Sequence, residues 1–121
     1  MKICGTGIDI IEVDRIESIL KQNKRFKNRV FTAKEIEYCE SKKNRYEHYA
    51  VRFAAKEAVW KALGRRGIIL KNIEIIKELD GKPNVLMKKN RNSGREILVS
   101  LSHTEKYAVA HAIVFGKKNE H

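Results

Sequence analysis

Three side chains stand apart in type from the residues around them: Asp9 in an apolar run, Glu57 in an alanine-rich stretch, and His103 between Ser102 and Thr104. In the segment from Arg52 to Gly64, the residues Phe53, Glu57, Trp60 and Gly64 recur at spacings of four, three and four. On a helix that spacing sets one carboxylate between two aromatics on a single stripe. Lys61 follows Glu57 by one turn, and Arg52 and Lys56 are also one turn apart, so three cations surround one acidic group. Two carboxylates, Asp9 and Glu57, could hold Mg²⁺, which takes few protein ligands and completes its shell with water and phosphate oxygens. Arg52, Lys56 and Lys61 would then meet the remaining phosphate charge. Each residue also has a plainer reading. Glu57 and Lys61 match an ordinary helix-stabilising pair, worth ~0.2–0.5 kcal/mol. Asp9 could end a strand by bonding the next turn, and Ser-His-Thr is common turn chemistry.

The elements that must position these groups follow from periodicity. Ile3 to Ile11 alternates as a strand, with Ile8 and Ile10 on one face and Asp9 and Ile11 on the other. Gly5 and Gly7 within it signal a close backbone approach or a bulge. Glu12 to Gln22 has helical spacing, with Val13, Ile16, Ile19 and Leu20 as its apolar stripe and Arg15 off it. Lys21, Lys24, Arg25, Lys27 and Arg29 form the densest cationic patch, either a solvated face or a docking surface for an acidic partner. Thr32-Ala33-Lys34-Glu35 has the form of a capping box and opens a helix to about Glu40. Ser41 to Arg45 reads as a loop, and a central helix runs from about Tyr46 to Leu63, closed by Gly64.

After Gly64 the period shifts from helical to alternating. Arg65-Arg66-Gly67 and Lys88 to Gly94 read as loops. Ile73 to Leu79 and Asn84 to Lys88 form a hairpin around Asp80-Gly81, with Pro83 at a strand start where a missing N–H is tolerated. Glu96 to Ser102 and Tyr107 to Phe115 are two further strands, with His103 in the turn between them. On the last strand Tyr107, Val109, Ile113 and Phe115 face one way, and Ala108, Ala110 and Ala112 face the other, where another element can pack closely. The tail from Gly116 is polar and expected to fray. The fold class is α+β: helices in the first half packed on an antiparallel sheet that the N-terminal strand joins, in one domain spanning residues 1–121.

Composition narrows the function classes. The 121 residues carry a net charge of +11, with 42% hydrophobic and 34% charged residues. No stretch approaches the ~20 apolar residues of a membrane span, and no secretory apolar region follows Met1-Lys2. Cys4 and Cys39 match no zinc spacing and read as reduced thiols of a cytoplasmic protein. The positive excess requires a polyanionic partner: nucleic acid, an acidic protein or a polyphosphate ligand.

Four motifs occur in order: Gly7-Ile8-Asp9-Ile10 with Arg15-Ile16; Arg52-Phe53-Ala54-Ala55-Lys56-Glu57-Ala58 with Lys61-Ala62; Gly81-Lys82-Pro83; and Ser100-Leu101-Ser102-His103-Thr104. In order and spacing they resemble the holo-[acyl-carrier-protein] synthases, the short members of the 4′-phosphopantetheinyl transferases, from about Ile3 to Phe115. The resemblance implies Mg²⁺-dependent transfer of the phosphopantetheine arm of coenzyme A to a serine of apo acyl carrier protein, releasing adenosine 3′,5′-bisphosphate, in fatty acid biosynthesis. It implies that Asp9 and Glu57 match the Mg²⁺ ligands and Lys61 the lysine near the transferred phosphate, with these three as the catalytic set. Arg52 and His103, with Lys56 and Lys61, match the coenzyme A side. Arg15, Arg25 and Phe26 match the surface that receives the carrier protein. It also implies a homotrimer with active sites between subunits, since longer relatives fuse two such units and this chain holds one. The chain departs from the family after Gly64, where Arg65 and Arg66 replace the usual small residues. A basic nucleic-acid-binding module is the alternative, but the basic residues lack interleaved aromatics. A purely structural trimer would explain the alanine face but not Asp9, Glu57 and His103 together. No nucleic acid and no membrane are therefore expected among the partners.

Overall fold

The computed structural model describes residues 2–64, 67–88 and 95–116. Its order is β1 (Lys2–Glu12), α1 (Val13–Gln22), α2 (Lys24–Val30), α3 (Ala33–Glu40), α4 (Arg45–Ala62), a 3₁₀ turn (Leu70–Asn72), β2 (Ile73–Lys77), β3 (Pro83–Met87), β4 (Glu96–His103) and β5 (Tyr107–Gly116). The expected α+β arrangement holds, but the strands divide into two sheets. One is antiparallel in the order β1-β5-β4, and the other is the β2-β3 hairpin.

The alternation read from the sequence becomes two faces of the three-stranded sheet. Gly7, Ile11, Ala108, Ala110, Ala112 and Val114 are buried against α4, while Ile8 and Ile10 are 63% and 65% exposed. The alanine face therefore packs against the chain's own helix. α4 lies so close that a Cβ at Gly5 would sit 2.0 Å from the Ala62 carbonyl oxygen, and one at Gly7 2.0 Å from that of Ala58. The register of β1 on β5 also shifts between Ile3 and Gly5, so the two glycines mark both a close approach and a bulge. Alanines at positions 54, 55, 58 and 62 complete the contact from the helix side.

The hairpin turn is wider than Asp80-Gly81 alone predicts. The N–H of Glu78 donates to the Lys82 carbonyl at 2.8 Å and that of Gly81 to the Glu78 carbonyl at 2.9 Å, leaving the three residues Leu79, Asp80 and Gly81 in the loop. Gly81 sits at φ +87°, the left-handed position that three-residue loops assign to glycine.

The cationic run after α1 contains a helix, α2, that its polar composition concealed. Asn23 caps it by accepting from the N–H of Arg25. Phe26 anchors it, with its ring centroid 6.4 Å from Phe31 and 5.8 Å from Phe53. Glu40 joins α2, α3 and α4: it pairs with Lys27 at 3.2 Å and Arg45 at 3.0 Å and accepts from the Tyr49 hydroxyl at 2.6 Å. That hydroxyl bond leads the effects that hold the Glu40 carboxyl below its ordinary pKa, whereas burial and Glu40 push Tyr49 above its own.

The capping box is present, and its glutamate does more than cap. The Glu35 N–H donates to Thr32 Oγ1, and Glu35 Oε1 accepts from the Thr32 N–H at 2.8 Å. The same carboxylate accepts from the Ile75 N–H at 2.8 Å and pairs with Lys56 Nζ at 2.8 Å, with both side chains almost wholly buried. Lys56 also donates to the carbonyls of Leu70 and Ile73. Every hydrogen of its ammonium thus has a partner inside the protein. Burial pushes the Lys56 pKa down, and Glu35 draws it only part of the way back. Nearby, the Thr32 hydroxyl donates to Glu74, whose other oxygen lies 3.3 Å from Lys88 Nζ. Burial pushes the Glu74 carboxyl up, but the bonds from Thr32 and Lys88 outweigh it and hold it below its ordinary value.

Arg65 and Arg66, most of the 88–94 loop and the tail beyond Gly116 lie outside the described residues.

Candidate active site

β1 and α4 bring together the first pair of candidates. Asp9 is on the sheet face that meets α4, and Lys61 is in the last turn of α4, beside the free edge of β1. Lys61 Nζ lies 3.2 Å from Asp9 Oδ1 and donates to the Ile8 carbonyl at 3.1 Å. The side chains remain 31% and 18% exposed, so the pair is held but still reachable. Glu57 precedes Lys61 by one turn on the half-buried side of α4 with Phe53 and Trp60, as the helical spacing predicts. A cavity of about 690 Å³ opens here, lined by Thr6, Gly7, Ile8, Lys61, Gly64 and His111.

A second group gathers elsewhere. His103 is the last residue of β4 rather than part of the turn, and its Nδ1 lies 2.9 Å from Glu47 Oε1 in the first turn of α4. Its ring meets that of His48 with centroids 5.3 Å apart. Arg52, only 6% exposed, stacks its guanidinium 4.2 Å above the Tyr38 ring and donates from Nη1 to the His48 carbonyl. Its buried Nε has no hydrogen-bond partner among the described residues. Tyr38, His48, Arg52 and His103, with Lys77, Lys82 and Asn84 of the hairpin, line a groove of about 640 Å³. A groove with an arginine, two lysines and an arginine N–H left unsatisfied is built for an anion. Burial lowers the His48 pKa to about 4, helped by the positive charges of Arg52, His103 and Lys42, so at neutral pH this imidazole is an uncharged wall.

Among the described residues the groove and the Lys61 cavity have no lining residue in common. The set expected from sequence as one site is thus divided between two separate places on one chain. Lys56, expected at the cofactor, belongs to neither. It has no exposed surface, and its ammonium is committed to Glu35 and two carbonyls. Glu47 and His48 were not singled out by sequence reasoning. Their spacing from Arg52 on the same helix was the available signal. Among the described residues no three His, Cys, Asp or Glu side chains gather as a metal site. Asp9 and Glu57 carry the carboxylates expected to hold Mg²⁺, an ion that can take two protein ligands when substrate oxygens and water complete its shell.

Arg15 and Arg25 are exposed on α1 and α2, as docking requires, while Phe26 is half-buried beneath them. Lys21 and Lys27 are paired with Glu17 and Glu40, which leaves Lys24, Arg25 and Arg29 as the open part of the basic patch.

The sequence matches the family model described as the 4′-phosphopantetheinyl transferase superfamily over residues 5–112. It is 44% identical to a holo-[acyl-carrier-protein] synthase of Koribacter versatilis, with 93% of this chain and 98% of that protein covered. The fold is similar to the crystal structure of a holo-(acyl-carrier-protein) synthase from Bacillus anthracis in complex with CoA (3′,5′-ADP), with TM-score 0.83 and 33% identity over 97% of this chain and all of that one. It is also similar to the Helicobacter pylori holo-[acyl-carrier-protein] synthase in complex with coenzyme A, with TM-score 0.78 and 30% identity, covering 90% of this chain and 98% of that one. With the match extending over most of the chain, the chain belongs to the 4′-phosphopantetheinyl transferase superfamily and, within it, to the holo-[acyl-carrier-protein] synthases.

Proposed function

We propose that this protein transfers the 4′-phosphopantetheine arm of coenzyme A to a serine of apo acyl carrier protein and releases adenosine 3′,5′-bisphosphate, in service of fatty acid biosynthesis in the cytoplasm. The observation that carries the reading is the pairing of a reachable Lys61–Asp9 couple with an anion-ready groove around Arg52 and His103. The relatives solved with coenzyme A support the choice of anion.

Displacement at a diphosphate calls mainly for charge neutralisation and in-line positioning. Lys61, already aimed by Asp9 and the Ile8 carbonyl, stands ready to offset charge on the diphosphate. Arg52 adds its guanidinium charge to the groove wall, and Lys77 and Lys82 add charge along the groove. Asp9 and Glu57 would hold Mg²⁺, which when bound supplies charge neutralisation at the diphosphate.

The site is shared between subunits of a homotrimer. Two half-sites in one chain support this, as does the outer face of the three-stranded sheet. There Ile3, Ile8, Ile10, Leu98 and Tyr107 are each about half exposed or more. Such a contiguous apolar face marks an interface. The Lys61 cavity opens toward it through Ile8 and His111. Arg15 and Arg25, with the open residues of α2, receive the acidic carrier protein.

The test is incubation with coenzyme A, Mg²⁺ and an apo carrier protein, followed by intact mass of the carrier. A mass increase of one phosphopantetheine arm is expected. An unchanged carrier, with the enzyme instead bound tightly to DNA or RNA, would overturn the reading.

A further inference from the structure

We propose that Glu47 is the positioning residue for His103, fixing which ring nitrogen faces the groove; the inference rests on the coenzyme A reading above. An ionised carboxylate can only accept, so the ring nitrogen facing Glu47 must carry a hydrogen. At 2.9 Å from Glu47 Oε1, Nδ1 donates a charge-assisted hydrogen bond, and Nε2 is turned away from Glu47. The hydrogen bond of one ring nitrogen sets the state of the other.

The surroundings explain why the ring needs such an anchor. His103 ends β4, where the strand gives way to the turn, and the residues after it are exposed. Its other ring neighbour, His48, meets it edge to face and makes no hydrogen bond to it. The cations Arg52, Lys77 and Lys82 line the same groove, and Glu47 is the acidic group hydrogen-bonded to this imidazole. Glu47 stands in the first turn of α4, where a carboxylate also suits the helix dipole, and its side chain is 17% exposed. It is placed to orient the ring without itself lining the groove. With Nδ1–H committed to Glu47, a proton taken from water on phosphate binding goes to Nε2 and makes it a donor facing the groove; without Glu47 the ring would turn freely, and a phosphate oxygen would meet that donor only part of the time.

The test reads the ring directly. In the neutral ring of the apo protein, long-range ¹H–¹⁵N correlation should show His103 protonated on Nδ1 and bare on Nε2. Glu47→Ala should shift the proton mainly to Nε2, as in free histidine, and raise the Kd for coenzyme A about tenfold, the value of one lost charge-assisted bond. Glu47→Gln, whose amide oxygen still accepts from Nδ1–H, should keep the wild-type ring pattern and recover part of the affinity. A purely structural Glu47 would move neither the ring signal nor its rescue by Gln. The proposal is overturned if wild-type His103 carries its proton on Nε2, or if Glu47→Ala leaves the ring pattern unchanged. His103→Ala serves as the separate control. If it leaves the Kd for coenzyme A unchanged, the coenzyme A reading of His103 falls, whatever the ring signal shows.

Discussion

Lys56 and Lys61 stand on one helix, and each faces a carboxylate at similar range, 2.8 Å to Glu35 and 3.2 Å to Asp9. The first pair is sealed, with 0% and 1% of the side chains exposed; the second is 31% and 18% exposed. In the sequence the two lysines look alike, and both were expected at the cofactor. The structure separates them by what surrounds the charge. Lys56 has all its hydrogens committed and fastens α4 to α3 and to the entry of β2. Lys61 keeps water and space beside it, at the mouth of a cavity. An ion pair of the first kind holds the fold, and one of the second kind can be lent to a substrate.

The sharpest way to break this contrast is to remove each lysine. Lys56→Met should leave Glu35 charged and unpaired inside the protein and cost ~3–5 kcal/mol of stability. Urea unfolding followed by circular dichroism measures it, and a midpoint equal to wild type would show that the buried pair is not structural. Lys61→Ala should do the reverse. Transfer to the carrier should fall ~10²–10³-fold, the usual loss when one stabilising donor is removed, while the urea midpoint stays near wild type because exposed pairs contribute ~0–1 kcal/mol. Asp9→Ala and Glu57→Ala should likewise lose most transfer while folding normally; near-normal turnover by Glu57→Ala at saturating Mg²⁺ would remove it from the metal set.

A smaller effect is expected on the outer surface. Arg15→Ala should raise the KM for carrier protein about tenfold or less, as for a charge at an interface rim, and leave that for coenzyme A nearly unchanged. Added salt should weaken carrier binding in the same selective way. If only the coenzyme A constant moved, α1 would belong to the cofactor side.

A separate effect concerns acid stability. His48 has a folded pKa of about 4, below the unfolded value of 6.5, because it is buried and beside Arg52, His103 and Lys42. Between those pH values the unfolded chain binds more protons, so stability should fall as pH drops from about 6.5 toward about 4. His48→Phe should flatten that limb of the urea-midpoint profile; an unaltered slope would place the acid sensitivity elsewhere.

Much of the fold was legible because it is local. Alternation in β1, β4 and β5, the Thr32–Glu35 capping box and the glycines at positions 5 and 7 each state their geometry within a few residues. The α2 helix was not legible, because Lys24, Arg25, Lys27 and Arg29 read as solvated charge while a single ring, Phe26, supplies its anchor. At the site, Asp9, Glu57 and Lys61 were legible from type and spacing. The fate of Lys56 was not, since its partner Glu35 and the carbonyls of Leu70 and Ile73 are distant in sequence and meet it only through tertiary packing. Glu47 was hidden for the same reason, its role appearing only when β4 brings His103 alongside. The alanine face of β5 is the close-packing surface its small side chains announce, with α4 as its occupant, and the exposed apolar face is the isoleucine-bearing one.

The claim that two half-sites are completed across subunits is tested most directly by mixing defective chains. Asp9→Ala and His103→Ala proteins are assayed separately at a coenzyme A concentration where each is inactive, then co-refolded and assayed together. If one subunit supplies Asp9 and its neighbour His103, random mixing leaves both residues intact at about a quarter of the interfaces of a closed ring, and transfer should return to about that share of wild type. If native mass spectrometry shows mixed trimers and the carrier still gains no phosphopantetheine, both residues serve one subunit's own site and the shared-site account is wrong.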